Sequence, residues 1–458
     1  MSTAPRPFAL DRTALHPSLS DPLLDVMTFL NEIVDRFPQA ISFAPGRPHE
    51  GLFAPADAER HIARYRRHLR DERGLTEKQI TRALVQYGPA GGIINELLVR
   101  ALRHDEGIEA RPEDTVITVG FQEALFTTLR ALFATADDVL LVPEPCYTGV
   151  TGAAAVLGIR VVPVPEGPRG LDADDVARAA QAVRRDGGRP RACYVVPDFA
   201  NPSGHRLTLA DRHRLLAVAH RHDLLLLEDN PYGFFTRDGR RRPTLRSLDT
   251  RGHVVYLGSF SKSCFPGARV GYVVAGQPVH DPAAGTSVPL ATELARLKSM
   301  ITVNTPAVSQ AVIGGMLLEH GCRLSAANDR AARLYGHNMD LLLDGLTTAL
   351  PRAAEQGVRW NDPGGGFFAC LEVPFAADRE LLEISAERFG VIWTPMSSFH
   401  TGDGGHDALR LSISYLDPDQ VREGVRRLAR MIRWRLARST PVPGHPAHAP
   451  QGATGAAR

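Results

Sequence analysis

From about residue 115, short, near-continuous apolar runs alternate with longer stretches in which apolar residues return every three or four positions. The runs TVITVG, DVLLVPEP, RVVPVPE, ACYVVPD, LLLLED, HVVYLGSFSK and RVGYVV read as strands, with helical spacing in FQEALFTTLRALFA, CYTGVTGAAAVLG and LTLADRHRLLAVAHRHD between them. Thr208 followed by Asp211 has the form of a capping box that opens the last of these helices. Strands without polar alternation are expected where helices cover both faces of a sheet, so the pattern predicts a mainly parallel α/β domain.

The pattern changes on either side. Residues 1–20 look irregular, 21–37 carry helical apolar spacing, and ISFAPGRPHEGLF reads as an extended arm. A long helical stretch through 306–350 leads to the strand-like FFACLEVP and LRLSISYL, with the helical ELLEISAERFG between them. The expected organisation is an N-terminal helix and arm over 1–50, a large domain over 51–310 and a smaller α+β domain over 311–437. The segment 438–458, low in large apolar residues and rich in Pro, Ala and Gly, is expected to be disordered.

Composition narrows the function. A formal net charge of +2 gives no footprint for nucleic acid or an anionic membrane. Cys146, Cys193, Cys264, Cys322 and Cys370 lack CxxC pairing, which suits a reducing cytoplasm. No apolar run reaches a membrane-spanning length, and the first residues lack the apolar core of a signal peptide. His213, His220 and His222 on one helix, without acidic or Cys companions, read as a solvated face, and no metal is expected. The Arg run 240–242 reads as solvent-facing, and Gly364–Gly366 as a tight approach near a ligand site.

Three lysines stand against fifty arginines. A guanidinium stays protonated and cannot serve as a carbonyl nucleophile, so amine chemistry has only Lys78, Lys262 and Lys298 to use. Lys78 and Lys298 read as helix surface or loop, whereas Lys262 ends a strand-like run and precedes a second one.

Around it, polar residues collect where predicted strands end, the place where open α/β sheets bind ligands. Asn201-Pro-Ser-Gly204 follows one strand, Asp229-Asn-Pro-Tyr232 another, and Ser259-Phe-Ser261-Lys262 with Arg269 a third. Gly120-Phe121-Gln122 opens a helix after a fourth. Each piece alone is a common turn or cap. Together they suit a pyridine aldehyde held as an imine on Lys262. Asp229 would keep the ring nitrogen protonated, and Asn201 and Tyr232 would donate to the phenolic oxygen. The helix after Gly120, with Ser259, Ser261 and Arg269, would hold the phosphate, and Tyr147 could stack on the ring.

The strings VQYGPAGG, TVGFQEAL, PEPCYTG, NPSG, EDNPYG, SFSKSCFPGARVGY and LRLSISY resemble the fold-type-I pyridoxal-phosphate enzymes. Within these they resemble the class I/II aminotransferases and their aminoadipate/kynurenine-like branch, over roughly residues 25–435. The resemblance implies a large domain with a mainly parallel sheet of the seven-stranded type, a smaller α+β domain, and pyridoxal 5'-phosphate as cofactor. It implies Lys262 as Schiff-base lysine and proton shuttle, with Asp229 and Tyr232 beside it. Gly120, Phe121, Gln122, Ser259, Ser261 and Arg269 would hold the phosphate, with Tyr147 against the ring. Asn201 would serve cofactor and substrate, and Arg410 would grip the substrate α-carboxylate. A homodimer is implied too, in which Tyr87 reaches the partner's phosphate and Asn304 lies near the shared boundary.

Two departures stand out. Phe121 replaces a small or hydroxylated residue and removes a side-chain contact to the phosphate. The arm reads Ala44-Pro45-Gly46-Arg47-Pro48, so Gly46 and Arg47 would line the substrate pocket, where a guanidinium suits an acidic or hydrogen-bonding side chain. Arg47 in a surface or interdomain ion pair is the other reading. The expected reaction is ping-pong transfer of the amino group of an L-amino acid to a 2-oxo acid. Elimination, replacement, cyclisation or oxidation on the same site is the alternative. A ligand-sensing regulator with this domain is disfavoured, because about forty residues precede the arm, without a basic recognition helix.

Overall fold

The structure is a computed structural model that describes residues 8–21, 29 and 32–438. Most of the predicted helix over 21–37 and nearly all of the expected tail lie outside the described residues; 32–36 is helical.

The large sheet is built from β1 (Thr115–Thr118), β2 (Asp138–Glu144), β3 (Arg160–Gly167), β4 (Arg189–Val195), β5 (Leu225–Asp229), β6 (Val254–Ser259) and β7 (Gly271–Val274). Their order is β1-β7-β6-β5-β4-β2-β3. Only β7 runs against its neighbours. Among the described residues the sheet has eight strands rather than seven, because the two-residue segment Gly170–Leu171 pairs antiparallel with the end of β3 and closes that edge.

Apolar side chains on both faces make the platform rigid. Val255 and Leu257 of β6 are fully buried, as are Leu226 and Leu227 of β5. Each such side chain contributes roughly 1.5–3 kcal/mol relative to exposure. The ends of β5 and β6 are therefore fixed points from which polar side chains can be aimed. Helices α1 (Gly120–Leu132), α2 (Thr148–Leu157) and α3 (Leu209–Arg221) follow β1, β2 and β4. The predicted capping box is present in α3: Thr208 Oγ1 accepts from the Asp211 amide, and the Asp211 carboxylate accepts from Thr208.

A second, antiparallel sheet has the order β8-β9-β11-β10, from β8 (Arg359–Trp360), β9 (Phe368–Glu372), β10 (Thr394–Pro395) and β11 (Ala408–Ser412). The long helical stretch predicted over 306–350 is divided into Ala307–Glu319 and Asp329–Ala349. Gly321 and Cys322, both in the left-handed region, separate them. The arm joins the second sheet's body: the Phe43 amide donates to Ile392, and the Ser412 amide donates to Phe43. That pairing carries Ala44–Arg47 across the gap between the two sheets.

Candidate active site

β1, β2, β4, β5 and β6 all end at the same edge of the large sheet, and one cavity of about 620 Å³ opens there. That volume lies within the range of small-molecule sites and leaves room for a cofactor with a substrate. Its lining includes Gly46, Arg47, Phe121, Gln122, Tyr147, Asn201, Asp229, Tyr232, Ser259, Ser261, Lys262, Arg269 and Arg410.

Lys262 lies just past β6, and its Nζ donates to the Gly46 carbonyl at 2.7 Å. Burial, with Arg269 and Arg410 nearby, pushes the amine down to about 8; Asp229 opposes that shift. Asp229 is the last residue of β5 and is 5 % exposed. Burial raises its carboxyl to about 7, against the Tyr194 hydroxyl and Lys262. Tyr194 donates to Asp229 Oδ2 at 2.7 Å, while Asp229 Oδ1 is buried without a partner. An orphaned carboxylate oxygen facing a cavity is costly unless a ligand supplies the donor, and a protonated pyridine nitrogen is such a donor.

The other end of the cavity is built for an anion. Gly120 starts α1 with φ +71°, and a Cβ there would lie 2.4 Å from Arg269 Nη2. Gly271 is equally constrained, since its Cβ would lie 2.5 Å from the Gly120 carbonyl carbon. No side chain caps α1, so its first amides remain available at the positive end of the helix dipole. Arg269, itself in the left-handed region, donates to Ser261 Oγ at 3.1 Å, and the Ser261 amide donates to Ser259 Oγ at 3.1 Å. Phe121 turns to the ring of Tyr147, with centroids 6.4 Å apart. The donor set therefore fits a phosphorylated pyridine.

Arg410, on β11, bridges the two sheets. Its guanidinium donates to Asn201 Oδ1 at 2.8 Å, to Thr394 Oγ1 at 3.1 Å and to the Ala44 carbonyl. It lies between the rings of Phe368 and Phe399. Burial lowers it to about 10, which leaves it cationic at neutral pH. Arg47 stacks on Tyr415, 4.1 Å from the ring centroid, while the Tyr415 hydroxyl donates to Glu50 at 2.7 Å.

Tyr87 is not brought to this cavity within its own chain; it is 84 % exposed. The segments carrying Tyr87 and Asn304 adjoin, because a Cβ on Gly88 would lie 3.9 Å from Asn304 Nδ2.

Several expectations are corrected. Lys298 is not on the surface: it is fully buried beside Glu123. Of the Arg run only Arg240 is exposed. Arg241 pairs with Glu106 over the Phe234 ring, and Arg242 donates to the Leu207 carbonyl. His213 is exposed, but His222 is buried, and His220 has an acidic companion from outside its helix, Asp249 at 3.5 Å. Asp249 also accepts the amides of Arg251 and Val254. Gly365 and Gly366 do make a tight approach, against Phe199 and the Phe235 carbonyl. Tyr194 was missed. Its only signal was a polar-tipped aromatic within an otherwise apolar strand. Phe399 was missed too, because it comes from a short turn with no pattern of its own.

Folded this way, the chain falls among the pyridoxal-phosphate enzymes of fold type I. The family model for aminotransferase class I and II matches residues 66–428, and the chain belongs to that family. It is 48% identical over 427 residues to an (S)-3,5-dihydroxyphenylglycine transaminase of Amycolatopsis orientalis, covering 93% of this chain and 95% of that relative. Among solved structures it is similar to LysN, the α-aminoadipate aminotransferase of Thermus thermophilus complexed with N-(5'-phosphopyridoxyl)-L-leucine. The TM-score is 0.73 at 31% identity, covering 93% of this chain and all of that one. It is similar as well to a Pyrococcus horikoshii kynurenine aminotransferase in complex with PMP, with a TM-score of 0.75 at 26% identity, covering 90% and 95%. The protein is thus an aminotransferase with pyridoxal phosphate as its cofactor. No helix among the described residues is long and apolar enough to cross a membrane.

Proposed function

We propose that the chain transfers the amino group of an L-amino acid to a 2-oxo acid at the cavity holding Lys262, by a ping-pong sequence. The observation that carries this reading is the presence in one cavity of a half-buried amine, Lys262, and a buried carboxylate whose free oxygen has no partner, Asp229. When bound, the cofactor supplies an electron sink for the substrate Cα and a temporary carrier for the amino group.

The protein's share is binding, orientation and proton movement. Lys262, held down to about 8, exists partly as a free amine near neutral pH, so its Nζ can both anchor the cofactor and move a proton at Cα. Asp229 holds the pyridine nitrogen, and Tyr194 orients that carboxylate. Asn201 and Tyr232 would hold the phenolic oxygen, and Tyr147 would lie against the ring. The first amides of α1 at Gly120, Phe121 and Gln122 hold the phosphate with Ser259, Ser261 and Arg269. Arg410 receives the α-carboxylate, with Asn201 beside it.

The side-chain pocket favours an arylglycine-type amino acid carrying ring hydroxyls. Phe121, Tyr147 and Phe399 give it aromatic walls, Gly46 lets the arm's backbone pack closely against Phe368, and Arg47 offers hydrogen-bond donors at the mouth. The 48% identity to a dihydroxyphenylglycine transaminase supports the same choice. The five free cysteines suit a reducing, cytoplasmic setting. The exposed apolar residues Val85, Tyr87, Met300, Ile301, Val303 and Val308, on adjoining segments, suit a homodimer in which Tyr87 reaches the partner's phosphate.

Mass spectrometry of products from the holoenzyme tests the reading, with a panel of aryl, acidic and aliphatic amino acids, with and without 2-oxoglutarate. Conversion of hydroxylated arylglycines to their 2-oxo acids, ahead of the others, is expected. Ammonia or peroxide release without 2-oxo acid exchange would contradict transamination, and a preference for aliphatic donors would remove the arylglycine assignment.

A further inference from the structure

The helix that opens the phosphate end of the cavity carries a carboxylate in its first turn. Glu123 lies three residues past Gly120, and its Oε2 accepts the Val119 amide at 2.6 Å. Val119 is the residue before α1 and has no side chain able to cap it, so Glu123 closes the strand-to-helix turn in place of a cap. An acidic group suits a helix N-terminus. The same charge opposes any second anion bound there, and a phosphate is such an anion.

Lys298 resolves this conflict. It comes from the helix Leu290–Ser299, is fully buried, and sets its Nζ 3.8 Å from Glu123 Oε2. Thr302 completes the cluster: its hydroxyl donates to Glu123 Oε1 at 2.6 Å and accepts from Lys298 Nζ at 3.2 Å. In a chain that uses arginine for nearly every other cation, one of three lysines is kept where nothing can solvate it. Burial of an amine is expensive, and an adjacent carboxylate offsets the cost only where further hydrogen bonds satisfy both groups, as Thr302 does here.

We propose that Lys298, acting through Glu123, is a positioning residue for the cofactor phosphate: it neutralises and clamps the carboxylate that shapes the Gly120 turn. The inference rests on the reading of Gly120–Gln122 and Arg269 as the phosphate cradle. Removal of Lys298 leaves Glu123 as an uncompensated buried anion beside that cradle. The phosphate is then repelled, and the turn is held by one less contact.

The test compares two probes, pyridoxal phosphate and pyridoxal, titrated into holoenzyme stripped of its cofactor. Wild type is expected to bind the phosphorylated form far more tightly. Equal binding would sink the cradle reading itself, before Lys298 is considered. In Lys298→Met the affinity for pyridoxal phosphate is expected to fall roughly tenfold to a hundredfold, with pyridoxal changed less than about twofold. The double variant Lys298→Met/Glu123→Gln removes both charges and is expected to return to within about threefold of wild type. Wild-type phosphate preference in Lys298→Met would overturn the proposal. So would parallel loss of both probes with no recovery in the double variant, since that is the mark of a purely structural pair. Should the single Met variant not fold, Glu123→Gln decides. It keeps an acceptor for the Val119 amide and is expected to bind pyridoxal phosphate at least as tightly as wild type, whereas weaker binding shared with pyridoxal overturns the proposal.

Discussion

Replacement of Arg410 by methionine removes a buried cation that has no carboxylate partner among the described residues. Its guanidinium is held by three neutral acceptors, from Asn201, Thr394 and Ala44. Neutral acceptors orient a charge without neutralising it, and burial already lowers Arg410 to about 10. Such a group is preorganised to take an anion. Charge-assisted hydrogen bonds contribute about 1.5–3 kcal/mol each, and loss of one partner of a buried pair costs about 2–5 kcal/mol. The variant is therefore expected to lose roughly 30-fold to several thousand-fold in kcat/KM for the amino donor. Arg410→Lys keeps the charge and loses the fork, so it should fall between the two. Pyridoxal phosphate affinity, measured by cofactor titration, should change little, since the phosphate end of the cavity does not involve β11. The assay is the single-turnover half-reaction with the holoenzyme against donor concentration. Unchanged donor dependence in Arg410→Met, or an equal loss of cofactor and donor binding, would refute the assignment.

Lys262→Ala should retain the fold and its thermal melting profile while losing turnover, because the side chain is one of many cavity groups but the only amine among the lining residues; wild-type rates would contradict its role. In the cofactor-free protein, acylation of Lys262 should rise with pH about a midpoint near 8, since the protonated amine is unreactive and the folded pocket releases its proton early. Asp229→Asn should move that midpoint lower still, because Asp229 is the group that favours the protonated amine; a midpoint near the ordinary 10.5 would be inconsistent with desolvation of the amine in the cavity. Light scattering should report a dimer, and Met300→Glu, placing a charge on the exposed apolar segment, should shift it to monomer; a wild-type monomer would remove the Tyr87 assignment.

The strand–helix alternation was legible because both sheet faces are covered, which leaves the strands without polar interruptions. The site was legible where chemistry sits at strand ends close in sequence, as with Ser259, Ser261, Lys262 and Arg269. What sequence could not show is partnership across long separations. Lys298 sits in a polar-looking string, ARLKSM, and only the fold brings Glu123, 175 positions earlier, to its side. Arg241 and Arg242 follow a loop glycine and read as solvated, yet Glu106 and the Leu207 carbonyl wait for them in space. His220 acquires Asp249 in the same way. Tyr194 was hidden for a different reason: period and hydropathy count a tyrosine as one more core aromatic, and its hydroxyl matters only once β5 sets Asp229 beside it.

The central claim is that the Lys262 amine is the attachment point of the cofactor. Borohydride reduction of the holoenzyme, followed by proteolysis and mass spectrometry, reads this directly. The account predicts a phosphopyridoxyl mass on the peptide that contains Lys262 and on no peptide containing Lys78 or Lys298. An unmodified Lys262 peptide from fully loaded enzyme, or the added mass on either other lysine, would contradict it.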